Sequence, residues 1–347
     1  MAPTQMSSRS GHLDVAKGIA IIAVTYGHAA VLMMGYPIYG QQLNVQNTIV
    51  FSLVMPIFFL ISGAFQRVRL SAPNFDAKVY LGKITTSLLI PFYALCFLFI
   101  VPNLILGARI YAPSLSQMLF AMFVQQTNGT YLPSVVLWFL FVLFVFHLLS
   151  FLAVKVFRVN VLYLILLAMV LRPRYPAIED WILFGFDKLC DYFLFYLLGF
   201  AFYKRVIDKP ISSSKALLAL AAVYLGALFF EVSRPEGLVV ALLKPFGIFE
   251  LSFCLLTIGI SYNLTAQFRD HPVVKSLAYF GAYSILVYVF HMPTMTIFRA
   301  IAIRLGITPN YSMLVFMVIP GLLVPLLAGK LLATNRRVYK TLLGRNP

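Results

Sequence analysis

Eleven positions separate Lys17 from His28 in the first apolar stretch, Leu13-Asp14-Val15-Ala16-Lys17-Gly18 through His28. On an α-helix, eleven steps of about 100° return a side chain to within roughly 20° of its starting direction, about 16 Å further along the axis. A cation near a membrane surface and an imidazole near mid-bilayer would then share one helix face. Ionisable groups at that depth are costly and mark a pathway or a reaction. A neutral imidazole can take a proton from a hydroxyl, and its unperturbed pKa near 6.5 suits that work at physiological pH. The competing reading is a histidine that only ties helices together; the shared face with Lys17 favours chemistry. Asp14 sits one turn before Lys17, where it can orient the ammonium or cap the helix start.

Other ionisable residues fall inside or beside later apolar runs. His291 stands two positions before Pro293, whose missing N–H loosens the backbone, and reaches a depth near that of His28. It can bind an acceptor or support charge on His28. Glu250 is centred in a run that starts near residue 238, with Lys244 six positions earlier and so on a different helix face. A cavity-lining Glu250 would bind acceptor hydroxyls or orient His28. Asp187 and Asp191, one turn apart with Trp181 and Tyr192 nearby, form either a solvated rim or a place for sugar hydroxyls. His147, among Phe144, Phe146 and Leu148, reads as structural, and His12 and His271 as ordinary cytoplasmic-side residues. Arg67 and Arg69 end the second apolar run, where they either anchor it at the membrane surface or contact phosphates, for which guanidinium groups are well suited. Lys83 carries the same two readings. The sequence shows no phosphate-binding glycine loop, no metal-ligand cluster and no Gly-x-Ser-x-Gly elbow.

The elements that must position these residues follow from composition. The chain has 347 residues, of which 61% are hydrophobic and only 11% charged. Soluble domains are roughly half apolar and about a quarter charged. An all-α, polytopic integral membrane bundle is the class that fits, forming a single membrane domain over residues 1–347. Apolar runs near 13–34, 46–65, 84–106, 132–154, 159–171, 185–203, 216–230, 238–262, 276–298 and 312–333 predict ten transmembrane helices. Residues 114–125 read as an interfacial helix. The net charge of +16 reflects loops rather than nucleic-acid binding. Most of the 27 basic residues fall on one side, leaving Arg109, Arg172, Arg174, Lys188, Arg234, Lys244, Arg299 and Arg304 for the other. The positive-inside rule then puts both termini in the cytoplasm. The first run is too long for a signal peptide. Cys96, Cys190 and Cys254 lie in or beside apolar runs and suggest neither a disulfide framework nor a zinc site.

Five segments in order carry a resemblance. Leu13-Asp14-Val15-Ala16-Lys17-Gly18 followed by His28 resembles the opening of the membrane acyltransferase-3 family, with its basic residue, ten-residue spacer and histidine. Pro56-Ile57-Phe58-Phe59-Leu60-Ile61-Ser62-Gly63-Ala64-Phe65 is similar to that family's second-helix signature. Leu137-Trp138-Phe139-Leu140, Tyr196-Leu197-Leu198-Gly199-Phe200 and Ser284 through Tyr288 to His291 match further landmarks. One departure stands out: the family's most frequent residue at the place of Lys17 is arginine, and lysine keeps the charge but not the bidentate fork.

The resemblance implies an O-acyltransferase of the bacterial inner membrane. It would move an acetyl group from cytoplasmic acetyl-CoA to a hydroxyl of an extracytoplasmic carbohydrate or lipid-linked oligosaccharide. The exopolysaccharide acetyltransferases, including those acting on xanthan, and fucose-acetylase-like proteins are the nearest types. His28, Lys17 and Asp14 would be catalytic; Arg67, Arg69, Lys83 and Ser62 would bind acyl-CoA; Glu250, His291, Asp187 and Asp191 would face the acceptor. No permanently bound cofactor or metal is expected. The rival class is a proton-coupled transporter or flippase with a path through His28, Glu250 and His291. A repeated half with matching broken helices, the usual pointer to a transporter, is absent from the sequence.

Overall fold

The computed structural model describes residues 11–33, 40–106, 113–128, 130–172, 183–233, 237–307 and 311–347. Every regular element among them is helical. In chain order these are α1 (Gly11–Met33), α2 (Gly40–Leu70), α3 (Ala77–Ile84), α4 (Ile90–Leu106), α5 (Leu115–Phe123), α6 (Trp138–Phe151), α7 (Val161–Leu171) and α8 (Phe186–Ala201). There follow α9 (Tyr203–Ile207), α10 (Ser214–Ser233), α11 (Leu238–Leu243), α12 (Ile248–Phe268), α13 (Pro272–Ala282), α14 (Ser284–Arg304), α15 (Tyr311–Leu332) and α16 (Arg336–Leu343). A π-helical turn, Thr85–Leu89, leads from α3 into α4, and a second, Leu152–Val156, prolongs α6. Short polar side chains start several helices by accepting from otherwise orphaned N–H groups. The Asp76 carboxylate takes the Val79 N–H at 2.9 Å, and Ser114 with Gln117 closes a reciprocal capping box on α5.

Eight helical stretches among the described residues are long and apolar enough to cross a bilayer. They lie in α1, α2, α3 running into α4, α6 with its π turn, α10, α12, α14 and α15. The ten expected spans include α7 and α8, which are shorter at 11 and 16 residues. The α10 helix leaves Leu218, Leu225 and Phe229 exposed, as a lipid-facing helix would and a water-facing one would not.

Two expected spans divide, and one division moves a candidate residue. The run from residue 238 stops after α11; Lys244–Phe246 forms a 3₁₀ turn around Pro245, and Gly247 turns left-handed at φ 59° before α12 begins. Only glycine takes that conformation without steric cost. Glu250 therefore lies in the first turn of α12, not at the centre of a span. The run near 276–298 likewise breaks at Tyr283, between α13 and α14. Apolar residues on both sides hide such interruptions, because hydropathy summed over a window runs across the few residues that make the break.

The chain forms two compact units. The first comprises residues up to Phe65 together with Leu198–Leu326, and the second Gln66–Leu197 together with Leu327–Pro347. In the first unit, α1 lies against α13 with almost nothing between the backbones. A methyl group on Gly18 would collide with the Leu277 carbonyl, and one on Gly281 with the Asp14 carbonyl. Leu13, Ala16 and Ala20 of α1 pack with Ile57, Leu60 and Ala64 of α2 and with Cys254 and Ile258 of α12. Further along α1, Ala29, Ala30 and Met33 meet Met295 and Ala302 of α14 and Met313 and Met317 of α15. His12 is buried, with Nε2 3.2 Å from the Val206 carbonyl, so this histidine closes the start of α1 on α9 instead of standing at the surface.

In the second unit, α6 carries the core. Phe141 packs on Phe92 and Phe146 on Phe193, at centroid distances of 5.5 and 4.9 Å. The C-terminal α16 seats its buried Tyr339 and Leu343 inward, and Gly344 lies so close to Ser87 of the first π turn that a side chain there would strike the backbone. All three cysteines are buried and unbridged.

Candidate active site

His28 projects from α1 and meets His291 of α14. His291 Nε2 lies 2.9 Å from His28 Nδ1, with the ring centroids 5.0 Å apart. Phe51 of α2 stands edge-on to the His28 ring at 5.4 Å. His291 is fully buried, whereas His28 keeps some accessible surface.

Proton counting orders the pair. His291 Nδ1 lies 2.7 Å from the Tyr288 carbonyl and 3.0 Å from the Val287 carbonyl. A carbonyl can only accept, so Nδ1 carries the hydrogen and Nε2 of the neutral ring is an acceptor. His28 Nδ1 must then donate to it. His28 is thereby the Nδ1–H tautomer, with the lone pair on Nε2. The Val24 carbonyl one turn back also bonds the His28 imidazole, where it too can only accept. The geometry is that of a base whose orientation and tautomer are set from behind.

Lys17 pairs with Asp14 at 2.6 Å, three residues earlier on α1, and both side chains are about one-quarter exposed at 24% and 21%. The Asp14 carbonyl is the group that Gly281 approaches, so α13 braces the turn carrying this ion pair. Ser62, in α2, is partly buried in the same unit, which also holds Glu250.

The remaining candidates belong to the second unit. Arg67, half-buried, and Arg69, exposed, occupy the last turn of α2, and Lys83 is exposed in the last turn of α3. Asp187 is buried, with Oδ1 accepting from the Thr127 hydroxyl at 2.7 Å and Oδ2 3.2 Å from Lys188 Nζ. Lys188 in turn lies over the Trp138 ring, which stacks on Tyr192 at 5.8 Å. Asp191 is 3.8 Å from Arg172 Nε, and its carbonyl accepts from the same nitrogen. These carboxylates hold loop and helix ends together as placed. Trp181 lies outside the described residues.

One group was not anticipated. Gln66, Tyr80, His147, Ser150 and Tyr196 interlock through side-chain hydrogen bonds inside the second unit. Gln66 is fully buried. A polar residue directly before Arg67, at the end of the apolar run that closes α2, was the available signal; its partners lie on three other helices and left no spacing to read. Among the described residues, no group of three or more His, Cys, Asp or Glu side chains is arranged to hold a metal.

These features define a multi-pass, all-helical membrane protein with a buried, hydrogen-bonded histidine pair. The chain matches the acyltransferase domain family Acyl_transf_3 over residues 11–330 and belongs to it. No curated protein and no solved structure matches it.

Proposed function

We propose that this protein is a membrane O-acyltransferase that moves an acetyl group from acetyl-CoA to a hydroxyl of an exported carbohydrate or lipid-linked oligosaccharide. The observation carrying this reading is the His28–His291 hydrogen bond, which leaves the Nε2 lone pair of a half-buried imidazole available. Membership of the acyltransferase family supports it. In the proposed reaction the acceptor hydroxyl gives its proton to His28 Nε2 while its oxygen attacks the thioester carbonyl. The carbon–sulfur bond breaks, and the CoA thiolate leaves with the proton returned by His28. The imidazolium formed in passing keeps its Nδ1–H on His291 Nε2, so the charge that develops on His28 meets an acceptor already in place.

In this reading His291, buried behind His28, acts on the base rather than on the acceptor. Lys17, oriented by Asp14, contributes positive charge along the donor path, and Ser62, Arg67, Arg69 and Lys83 serve the CoA end. Glu250 in the first unit, and Asp187 and Asp191 in the second, are the carboxylates proposed to bind acceptor hydroxyls. The site of action is the bacterial inner membrane, with both termini cytoplasmic, and the acceptor belongs to an exopolysaccharide or envelope glycan. The test is transfer of labelled acetyl from acetyl-CoA by purified protein, with and without glycan acceptor. Acceptor-dependent transfer is expected. Its absence in folded protein, together with uptake or flipping of a precursor in vesicles, would favour the transporter reading.

A further inference from the structure

The five-residue network of the second unit is closed to a degree that simple helix packing does not require. Gln66 Nε2 donates to the Tyr80 hydroxyl and to the His147 carbonyl, both at 2.8 Å. The carbonyl can only accept, which fixes which end of the amide is nitrogen. Gln66 Oε1 then takes the Tyr196 hydroxyl at 2.5 Å, and the Ser150 hydroxyl, 2.7 Å away, shares its one hydrogen between Oε1 and the Phe146 carbonyl. Both ends of one buried amide are engaged. Since the Tyr196 proton is on Gln66, the 2.7 Å contact between Tyr196 and His147 Nδ1 is made by an imidazole N–H donating to the phenol oxygen.

Such a network is a poor way to gain stability. Burying an amide and two phenols costs desolvation that apolar side chains of similar volume would not incur, and what a satisfied network adds is one defined geometry. The geometry it defines here is that of the basic end of the unit. Arg67 and Arg69 follow Gln66 within the same last turn of α2. Lys83 follows Tyr80 by one turn of α3. Arg69 stands three positions after Gln66, so the two are neighbours on the surface of α2.

We infer that Gln66 is a positioning residue for the phosphate-bearing end of the acyl donor, acting through Arg67, Arg69 and Lys83. The inference rests on the acetyl-CoA reading above. Phosphate recognition by guanidinium groups depends on direction as well as charge. A locked amide at the root of the arginine-bearing turn supplies that direction. Replacing it leaves the charges in place and loosens where they point.

The experiment uses full-length protein in lipid nanodiscs with bound labelled acetyl-CoA, displaced by CoA or by 3′-dephospho-CoA. The wild-type protein is expected to prefer CoA by roughly tenfold, the yield of one well-placed charge-assisted contact. In Gln66→Met that preference should fall to within about twofold, with 3′-dephospho-CoA binding nearly unchanged. Ser150→Ala, which keeps Gln66 and removes one of its donors, should fall between. A folded Gln66→Met that keeps the full preference, or that loses both ligands equally, would show the network to be structural only and overturn the inference. If Gln66→Met does not fold, Ser150→Ala decides, and an unchanged preference there rejects the role. Failure of the donor reading looks different: wild-type protein would not bind acetyl-CoA, or would keep its preference in the Arg67→Gln, Arg69→Gln double variant.

Discussion

His28 in the first unit and His147 in the second are both imidazoles set in apolar helices, and they end in opposite circumstances. His28 keeps accessible surface, commits its Nδ1–H toward His291 and carries its lone pair on Nε2. His147 is buried, and its Nδ1 and its backbone carbonyl are both drawn into the network around the Gln66 amide. Residue type and helix polarity are the same in the two places. What separates the two is access: the His28 imidazole keeps surface that a substrate can reach, and the His147 imidazole is sealed among Gln66, Tyr80 and Tyr196.

The sharpest way to break this contrast is to remove each imidazole in turn. His28→Ala should insert and fold, since deleting a polar group from a span does not oppose membrane insertion. Acetyl transfer should fall by about 10²–10⁴-fold, the range for losing a general base. His147→Ala should act in the opposite sense, lowering thermal stability in detergent by roughly 1–3 kcal/mol per orphaned partner while turnover of the folded fraction stays within about tenfold. Equal turnover in wild type and His28→Ala would sink the base assignment and reopen the transporter reading. A catalytic collapse in a thermally intact His147→Ala would invert the comparison.

The partner of His28 comes next in size. His291→Ala removes the acceptor that holds His28 as the Nδ1–H tautomer. One lost hydrogen bond of about 1–3 kcal/mol corresponds to a fall in kcat of roughly ten- to hundredfold, with little change in KM for either substrate. His291→Gln offers an amide oxygen in place of Nε2 and should recover part of that loss. A binding role for His291 predicts instead that KM for the acceptor rises and that glutamine does not help. Steady-state kinetics on the two variants distinguishes these outcomes.

The two regions also differed in how far they could be read from sequence. The Lys17–His28 relation lies within one helix, so spacing alone was enough, and α1 runs continuously through both residues. His291 is 263 positions from His28, and its depth in a late apolar run was the one sign in the sequence that the two meet. Glu250 was misplaced because the apolar residues on either side of Lys244-Pro245-Phe246-Gly247 read as one run, although Pro245 and Gly247 stand where the chain breaks. Gln66 passed as the polar end of a span. Its significance depends on Tyr80, Ser150 and Tyr196, which reach it from α3, α6 and α8, and pairing between helices leaves no period in the sequence. Helix class and membrane character come from composition and local pattern; closure of hydrogen bonds comes from tertiary placement.

The smallest expected effect concerns the other end of α1. Lys17 stands where the family most often has arginine, and here its ammonium makes one close contact, 2.6 Å to Asp14. If its contribution is a positive charge held in place by Asp14, Lys17→Arg keeps both charge and partner, because a guanidinium can bind the same carboxylate. Activity should then stay within about threefold of wild type, since replacing one exposed or half-exposed ion pair by another changes little. Lys17→Met removes the charge and leaves Asp14 unpaired beside the α13 contact, so it should raise KM for acetyl-CoA by more than Lys17→Arg does. A large loss in Lys17→Arg with normal folding would mean that a compact ammonium, and not charge alone, is required near the start of α1. That outcome would give this end of the helix a chemical part in the reaction comparable to that of His28, and the measurement is KM and kcat for the two variants side by side.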